Sequence, residues 1–181
     1  MKTKIATEDW EFEQMFKLNY LTFVDEIPQH NQNDSRKLID KFHDKNTYII
    51  VLNGKELVGM MSINTHRPFS LDHKLENLDQ YLPAFSNGFE IRLLAVKNEH
   101  RGTIVFMNMF KKLKEIVEEK KFDIGLISGI TSQIKLYEKI GFVPFGPLVG
   151  QAPALFQPMY ITYDRYIRGL EKMNLLERMQ S

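Results

Sequence analysis

Cysteine is absent from the chain, which removes disulfides, thiolate nucleophiles and thiolate metal sites at once. Long apolar runs are absent as well. No segment approaches the ~18 consecutive apolar residues of a membrane span. The opening MKTKIATEDWEFEQ lacks the apolar stretch of a signal peptide, so a cytoplasmic location is expected. Neither charge is in excess: 24 Lys and Arg against 23 Asp and Glu leave a net charge of +1. That balance gives no electrostatic case for nucleic acid or an anionic membrane as partner. Internal repeats and low-complexity linkers are lacking too. What is present is 181 residues, 43% hydrophobic and 26% charged, the length and composition of one globular domain with a sizeable core. Residues 1–181 are read as that single domain.

Phe12, Met15, Phe16, Asn19, Tyr20 and Phe23 recur at helical spacing and predict a helix over residues 8–22. A second helix is predicted after Asp34, a suitable N-cap, with Leu38, Ile39 and Phe42 on one face. TYIIVLNGKELVGMMSIN combines a β-branched run, an Asn53-Gly54 turn and a second apolar run, the pattern of a hairpin. Residues 65–87 hold one short helix before Pro83 and otherwise form a long connection, of the kind that often carries function. A strand over 89–96 and a helix over 102–120 follow. FDIGLIS is a buried strand, TSQIKLYEKI a helix stopped by Gly141, and FVPFG and LFQPMYIT two more strands. Residues 163–181 form a C-terminal amphipathic helix weakened by Gly169. Antiparallel strands first and crossover helices later imply a mixed, mostly antiparallel sheet with helices on both faces, an α/β (α+β) fold.

The chemistry is concentrated in EIRLLAVKNEHRGTIVF, residues 90–106. A strand that turns tightly into a helix exposes the first free N–H groups of that helix, which attract an anion, usually phosphate. Gly102 permits close approach and Arg101 adds a charge-assisted hydrogen bond. The alternative is a solvated turn in which Gly102 is chosen for its φ angle. Further on, LYEKIGFVP places Gly141 at a helix C′ position and Phe142 at the apolar C″ position of a Schellman ending.

The order strand–RG–helix, strand, helix–YEKIGF–strand resembles the GNAT superfamily of acyltransferases, and the resemblance runs from the N-terminal helix to Thr162. It implies a single GNAT-like domain in which the first turn holds the pyrophosphate of coenzyme A. A finer resemblance links LNYLTFVDE (18–26) to the LRYxVFVxE opening of the acyl-homoserine-lactone synthases and long-chain N-acyl amino acid synthases. FEIRLLAV likewise resembles their ExxRLAV strand. That branch often takes acyl groups from acyl carrier protein. The chain departs from the usual R-G-x-G-x-G/A turn: Thr103, Ile104, Val105 and Phe106 follow Arg101 and Gly102, with bulky residues at both later glycine positions. A carrier-protein phosphopantetheine, with one phosphate, needs less room there than free coenzyme A. The usual Asn and Ala before YEKIGF are replaced by Ile130 and Gln133.

By this resemblance Leu94, Ala95 and Val96 offer backbone groups to the pantetheine arm, and residues 101–106 bind its phosphate. Tyr137 is the candidate acid for the leaving thiolate, and Glu90 the candidate base, directly or through water. Each has a structural alternative: a half-buried helix tyrosine beside Leu136, and a strand carboxylate paired with Arg92. Met60, Met61, Met107, Met109, Phe106 and Phe110 are either an acyl tunnel or an ordinary core. His66 and His73 share a loop without a third ligand, and His30 is read as surface, so no metal is expected.

The expected activity is N-acyl transfer, acetyl or longer, from a coenzyme A thioester or acyl carrier protein to a small-molecule amine. Two alternatives stand beside it. One is a long-chain N-acyl amino acid or signal-molecule synthase. The other is a degenerate GNAT module that binds an acyl thioester or a partner without catalysis. The oligomeric state, a homodimer among the options, stays open.

Overall fold

A computed structural model describes residues 1–180, with the side chains of Thr103 and of residues 175–180 outside the description. In chain order the elements are β1 (Lys2–Ile5), α1 (Asp9–Tyr20), β2 (Asn46–Asn53), β3 (Glu56–Asn64), β4 (Gly88–Val96), α2 (Thr103–Lys120), β5 (Ile124–Ile130), α3 (Ile134–Ile140), β6 (Val143–Pro144), β7 (Val149–Gln151), β8 (Ala154–Thr162) and α4 (Tyr163–Gln180). Their contacts group into two compact units. The first comprises Met1–Asn64 with Ile91–Lys114, and the second comprises Thr65–Glu90 with the chain from Glu115 onward. Of the eight-stranded sheet, the first unit supplies the run β1-β2-β3 and most of β4. The second supplies the run β5-β8-β6 with β7 beside β8.

In the first unit, α1 starts where the Glu11 carboxylate accepts the N–H groups of Thr7 and Glu8 at 2.8 and 3.1 Å and pairs with Lys4 at 2.7 Å. Its Met15 and Leu18, with Phe23 beyond it, pack on Tyr48, Ile50, Leu52, Leu57 and Met60 of the hairpin. Past Tyr20 the helix widens into a π-helical turn, Leu21–Glu26. The opposite face of the hairpin receives α2. A Cβ on Gly59 would lie 2.6 Å from Val105 Cγ1, so a glycine on the strand, rather than on the helix, permits the close approach. Helices therefore cover both faces of this unit.

In the second unit, β5 pairs with β8 antiparallel from Ile124↔Thr162 to Ile130↔Phe156. Helix α3 ends as a Schellman motif. Phe142 N–H donates to Tyr137 O at 3.1 Å, Gly141 N–H donates to Glu138 O at 3.0 Å, and Gly141 sits at φ +117. Gly169, expected to weaken α4, has a packing reason: a Cβ there would lie 1.5 Å from Ile140 O.

The expected helix after Asp34 does not form. Arg36 takes φ +49 and its N–H closes a turn on Asn33 O, a conformation that cannot propagate a helix. The chain then runs irregularly alongside α1, with Leu38 N–H donating to Phe16 O at 3.0 Å. The hairpin loop lies one residue later than expected. Asn53 ends β2 opposite Glu56, leaving Gly54 and Lys55 as the loop. Strands β1 and β7 have no counterpart in the pattern reading, because three or four residues are too short to show a period. Between residues 65 and 87 there are two 3₁₀ turns, Leu71–His73 and Leu78–Tyr81, in place of one helix.

Candidate functional site

Strand β4 is kinked at its centre. Leu93 has φ +48, the left-handed region that a branched residue adopts only under constraint. The alternation of burial breaks at the same place, with Arg92, Leu93 and Leu94 all half-buried before Ala95 returns to the core. Such a kink re-aims backbone groups away from regular pairing. Leu94, Ala95 and Val96 lie just beyond it.

After Val96 the chain makes a 3₁₀ turn, Asn98–His100, then Arg101 and Gly102, and enters α2. Arg101 Nε donates to Val96 O at 3.1 Å, and its guanidinium is paired with the Glu26 carboxylate. Asn98 Nδ2 donates to the same carboxylate at 3.2 Å. The side chain expected to meet phosphate is thus held by an acid from the π-helical turn. Gly102 is not in the left-handed region, and a Cβ on it would meet nothing within 4 Å, so neither φ nor protein packing requires the glycine. The bulky residues at the two later positions point different ways. Ile104 is 64% exposed, whereas Phe106 is buried and packs against Phe110 with tilted rings, centroids 4.6 Å apart. Thr103 opens α2, and its side chain lies outside the described residues.

Tyr137 is buried, its ring edge-on to Phe142 with centroids 6.1 Å apart. This contact is the apolar C3–C″ pair of the Schellman motif. Burial pushes its phenol up to about 12. Glu90 is 1% exposed and accepts from Ser70 N at 2.8 Å, Ser70 Oγ at 2.6 Å and Leu71 N at 3.2 Å. It therefore anchors the first 3₁₀ turn of the 65–87 segment. Met60, Met61, Met107, Met109, Phe106 and Phe110 are all buried in the first unit. His30, His66 and His73 are all exposed. Among the described residues, the His and carboxylate donors close enough to share an ion are Glu56, Glu99 and His100, where Lys97 Nζ pairs with Glu56 at 2.5 Å.

Sequence reasoning missed a second polar group in the first unit. Arg92 donates from Nε and Nη2 to Asp40 at 3.0 and 2.9 Å, and Asn46 Nδ2 donates to Asp40 Oδ2 at 2.7 Å. Burial alone would raise the Asp40 carboxyl, but the hydrogen bonds and charge of Arg92, with Asn46, hold it below the usual range. Tyr48 Oη joins through Asn46 Nδ2 at 3.3 Å and His43 Nδ1 at 2.9 Å. Asp40 escaped notice because its segment was read as a helix. Arg92 was noticed only as a partner for Glu90.

Among the described residues no helix is long and apolar enough to cross a membrane. A comparison with curated proteins gives no match. Many solved structures share the fold, BjaI, FeeM and ElaA among them. The coenzyme A-dependent acyl-homoserine lactone synthase BjaI is 16% identical with a TM-score of 0.74, covering 95% of this chain and 88% of its own. FeeM, an N-acyl amino acid synthase from uncultured soil microbes, is 14% identical with a TM-score of 0.71 and 93% of each chain covered. ElaA of Escherichia coli is 16% identical with a TM-score of 0.61, covering 88% and 99%. The model of the acetyltransferase (GNAT) domain matches residues 18–111, more than half of the chain, and the protein belongs to that family.

Proposed function

We propose that the protein moves an acyl group from a pantetheine thioester, coenzyme A or acyl carrier protein, to the amine of a small molecule. The observation that carries the reading is the left-handed Leu93 in the middle of β4. A conformation worth about 1–3 kcal/mol of strain persists where the altered backbone is used. Here Leu94, Ala95 and Val96 are the groups offered to the pantetheine arm. The open Gly102 and the start of α2 then receive phosphate, with Arg101 turning from Glu26 to the donor. The solved structure of BjaI with isopentyl-CoA supports a coenzyme A thioester on this fold.

In the reaction the amine nitrogen attacks the acyl carbon, the tetrahedral oxyanion collapses, and the C–S bond breaks. The thiolate takes a proton from Tyr137, whose raised phenol keeps that proton at neutral pH. The amine gives up its proton to water in reach of Glu90. The three protein donors on Glu90 make a relay through water more fitting than direct abstraction. Long-chain N-acyl amino acid or signal-molecule synthesis is the finer form of the same reading. A binding module without catalysis is the second reading, and the closed Arg101–Glu26 pair favours it.

Titration calorimetry with coenzyme A and with phosphopantetheine tests the donor site. Loss of the charged hydrogen bond in Arg101→Ala should cost about 1.5–3 kcal/mol, roughly ten- to a hundredfold in affinity. Equal affinity of the parent and Arg101→Ala for both ligands rejects the turn as the phosphate site.

A further inference from the structure

Helix α1 buries Met15 and Leu18 against the hairpin and turns a second stripe outward. Trp10, Gln14, Lys17 and Leu21 follow one another at i, i+4, i+7 and i+11, within about 60° of arc on a helix of 3.6 residues per turn. Leu21 keeps helical dihedrals, φ -53 and ψ -44, so it stays in line. Trp10, the only tryptophan of the chain, is 42% exposed and Leu21 39%. Lys17 is exposed between them. Gln14 spends its amide on the hairpin backbone: Nε2 donates to Lys55 O and Oε1 accepts from Leu57 N, both at 2.9 Å. Beside the stripe lies an open groove of about 200 Å³, lined by Leu18, Leu21 and Leu57 together with Lys17 and Lys97.

The stripe has the same spacing in both directions. About its midpoint, between Met15 and Phe16, position 10 mirrors position 21 and position 14 mirrors position 17. A twofold axis through that midpoint sets two copies of α1 antiparallel, each residue meeting its mirror position in the other copy. Trp10 then lies on Leu21 of the second copy, so the apolar ends meet. The charges agree as well. Glu13 of each copy comes level, to within one residue, with Lys17 of the other. Glu13 takes Lys37 on Oε2 at 2.6 Å and has a second carboxylate oxygen to offer that lysine.

We propose that this face of α1 is the interface of a weak homodimer, in which the indole of each copy closes on Leu21 beside the groove of the other. The contact is independent of the acyl-transfer reading. Tryptophan is among the residues that most often anchor an interface. One helix face is small beside the ~800 Å² per partner of a standard interface, so the dissociation constant should lie between about 1 µM and 1 mM.

Sedimentation equilibrium, with tryptophan emission read on the same samples, tests the proposal. The parent should pass from monomer to dimer across that range. Its emission should move to shorter wavelength in step, because Trp10 is the chain's only indole. Leu21→Lys and Trp10→Glu change exposed positions, and both variants should be folded by circular dichroism. Each should raise the dissociation constant about tenfold or more, the scale of a lost anchor. The double variant Trp10→Glu/Leu21→Lys should bind about threefold or more tighter than either single one, since the antiparallel register sets each new acid opposite a new base. A parent that stays monomeric up to about 1 mM overturns the proposal. A dimer whose tryptophan emission does not move also overturns it. So does a double variant that dimerises no better than the single ones, because position 10 then does not meet position 21.

Discussion

Tyr137 serves two purposes that one substitution separates. Its ring and backbone carbonyl close the Schellman motif, while its hydroxyl is the proposed acid. Tyr137→Phe keeps the ring, so the melting temperature at pH 7 should stay within about 2 °C, below the shift of a 1 kcal/mol change. Turnover should fall at least tenfold, since general acid catalysis is worth about 10²–10⁴. Full turnover by the folded variant would leave Tyr137 a packing residue. The raised phenol also has a stability consequence. Its folded value of about 12 exceeds its ordinary value of 10.0, so its contribution is whole below pH 10 and is lost as pH rises towards 12. Tyr137→Phe should lose that part of the alkaline decline, as followed by urea unfolding. At Arg101 the competing partner is Glu26. Glu26→Gln should tighten coenzyme A binding about three- to tenfold, the scale of one partly exposed charge pair, and only while Arg101 is present. The same gain in an Arg101→Ala background would show that Glu26 acts through general repulsion. Both residues stood out in the sequence as candidates, Tyr137 from YEKIGF and Arg101 from the RG turn. Glu26 was not, because nothing in LNYLTFVDE says that its last residue reaches 75 positions along the chain to Arg101.

Among the elements, the periodic ones were legible and the irregular ones were not. Helix α1, the hairpin, β4, α2 and α3 follow from apolar spacing and from one Schellman signature. The segment after Asp34 carried a helical pattern, but Arg36 turns left-handed and the chain becomes a brace beside α1. The polar group on Asp40 was lost with it. The glycines show how packing overrides propensity. Gly169→Ala would gain about 1 kcal/mol as a helix former, yet its Cβ would meet Ile140 O at 1.5 Å. Since the obstacle is backbone, overpacking of about 3 kcal/mol or more should dominate, and a chemical melt should show net destabilisation. Stabilisation would mean that α3 and α4 lie further apart. Gly59→Ala meets only the tip of Val105 at 2.6 Å, so it should cost less, about 1–2 kcal/mol, and should weaken coenzyme A binding by shifting the start of α2.

At the scale of the whole molecule, acid stability depends on a few carboxylates. Burial opposes their ionisation, but Arg92 at Asp40, Arg67 at Asp72 and Lys4 at Glu11 outweigh it, and each is held below its ordinary value. Depressed carboxyls contribute stability above their unfolded values, near 3.8 for Asp and 4.5 for Glu, and lose it as pH falls through the folded ones. Stability should therefore be level from pH 8 to 5. Below pH 4 it should fall by about 1.4 kcal/mol per pH unit for each group titrating. Asp40→Asn should shallow that slope and, by breaking a buried pair, cost about 3–5 kcal/mol. The account as a whole stands on acyl transfer from a pantetheine thioester. Its most direct test is mass spectrometry of the small molecules formed when the protein is incubated with octanoyl-CoA and a panel of amines. An amide formed together with free thiol, and lost in Tyr137→Phe, is the predicted result. Bound, intact octanoyl-CoA with no amide from any amine would contradict it.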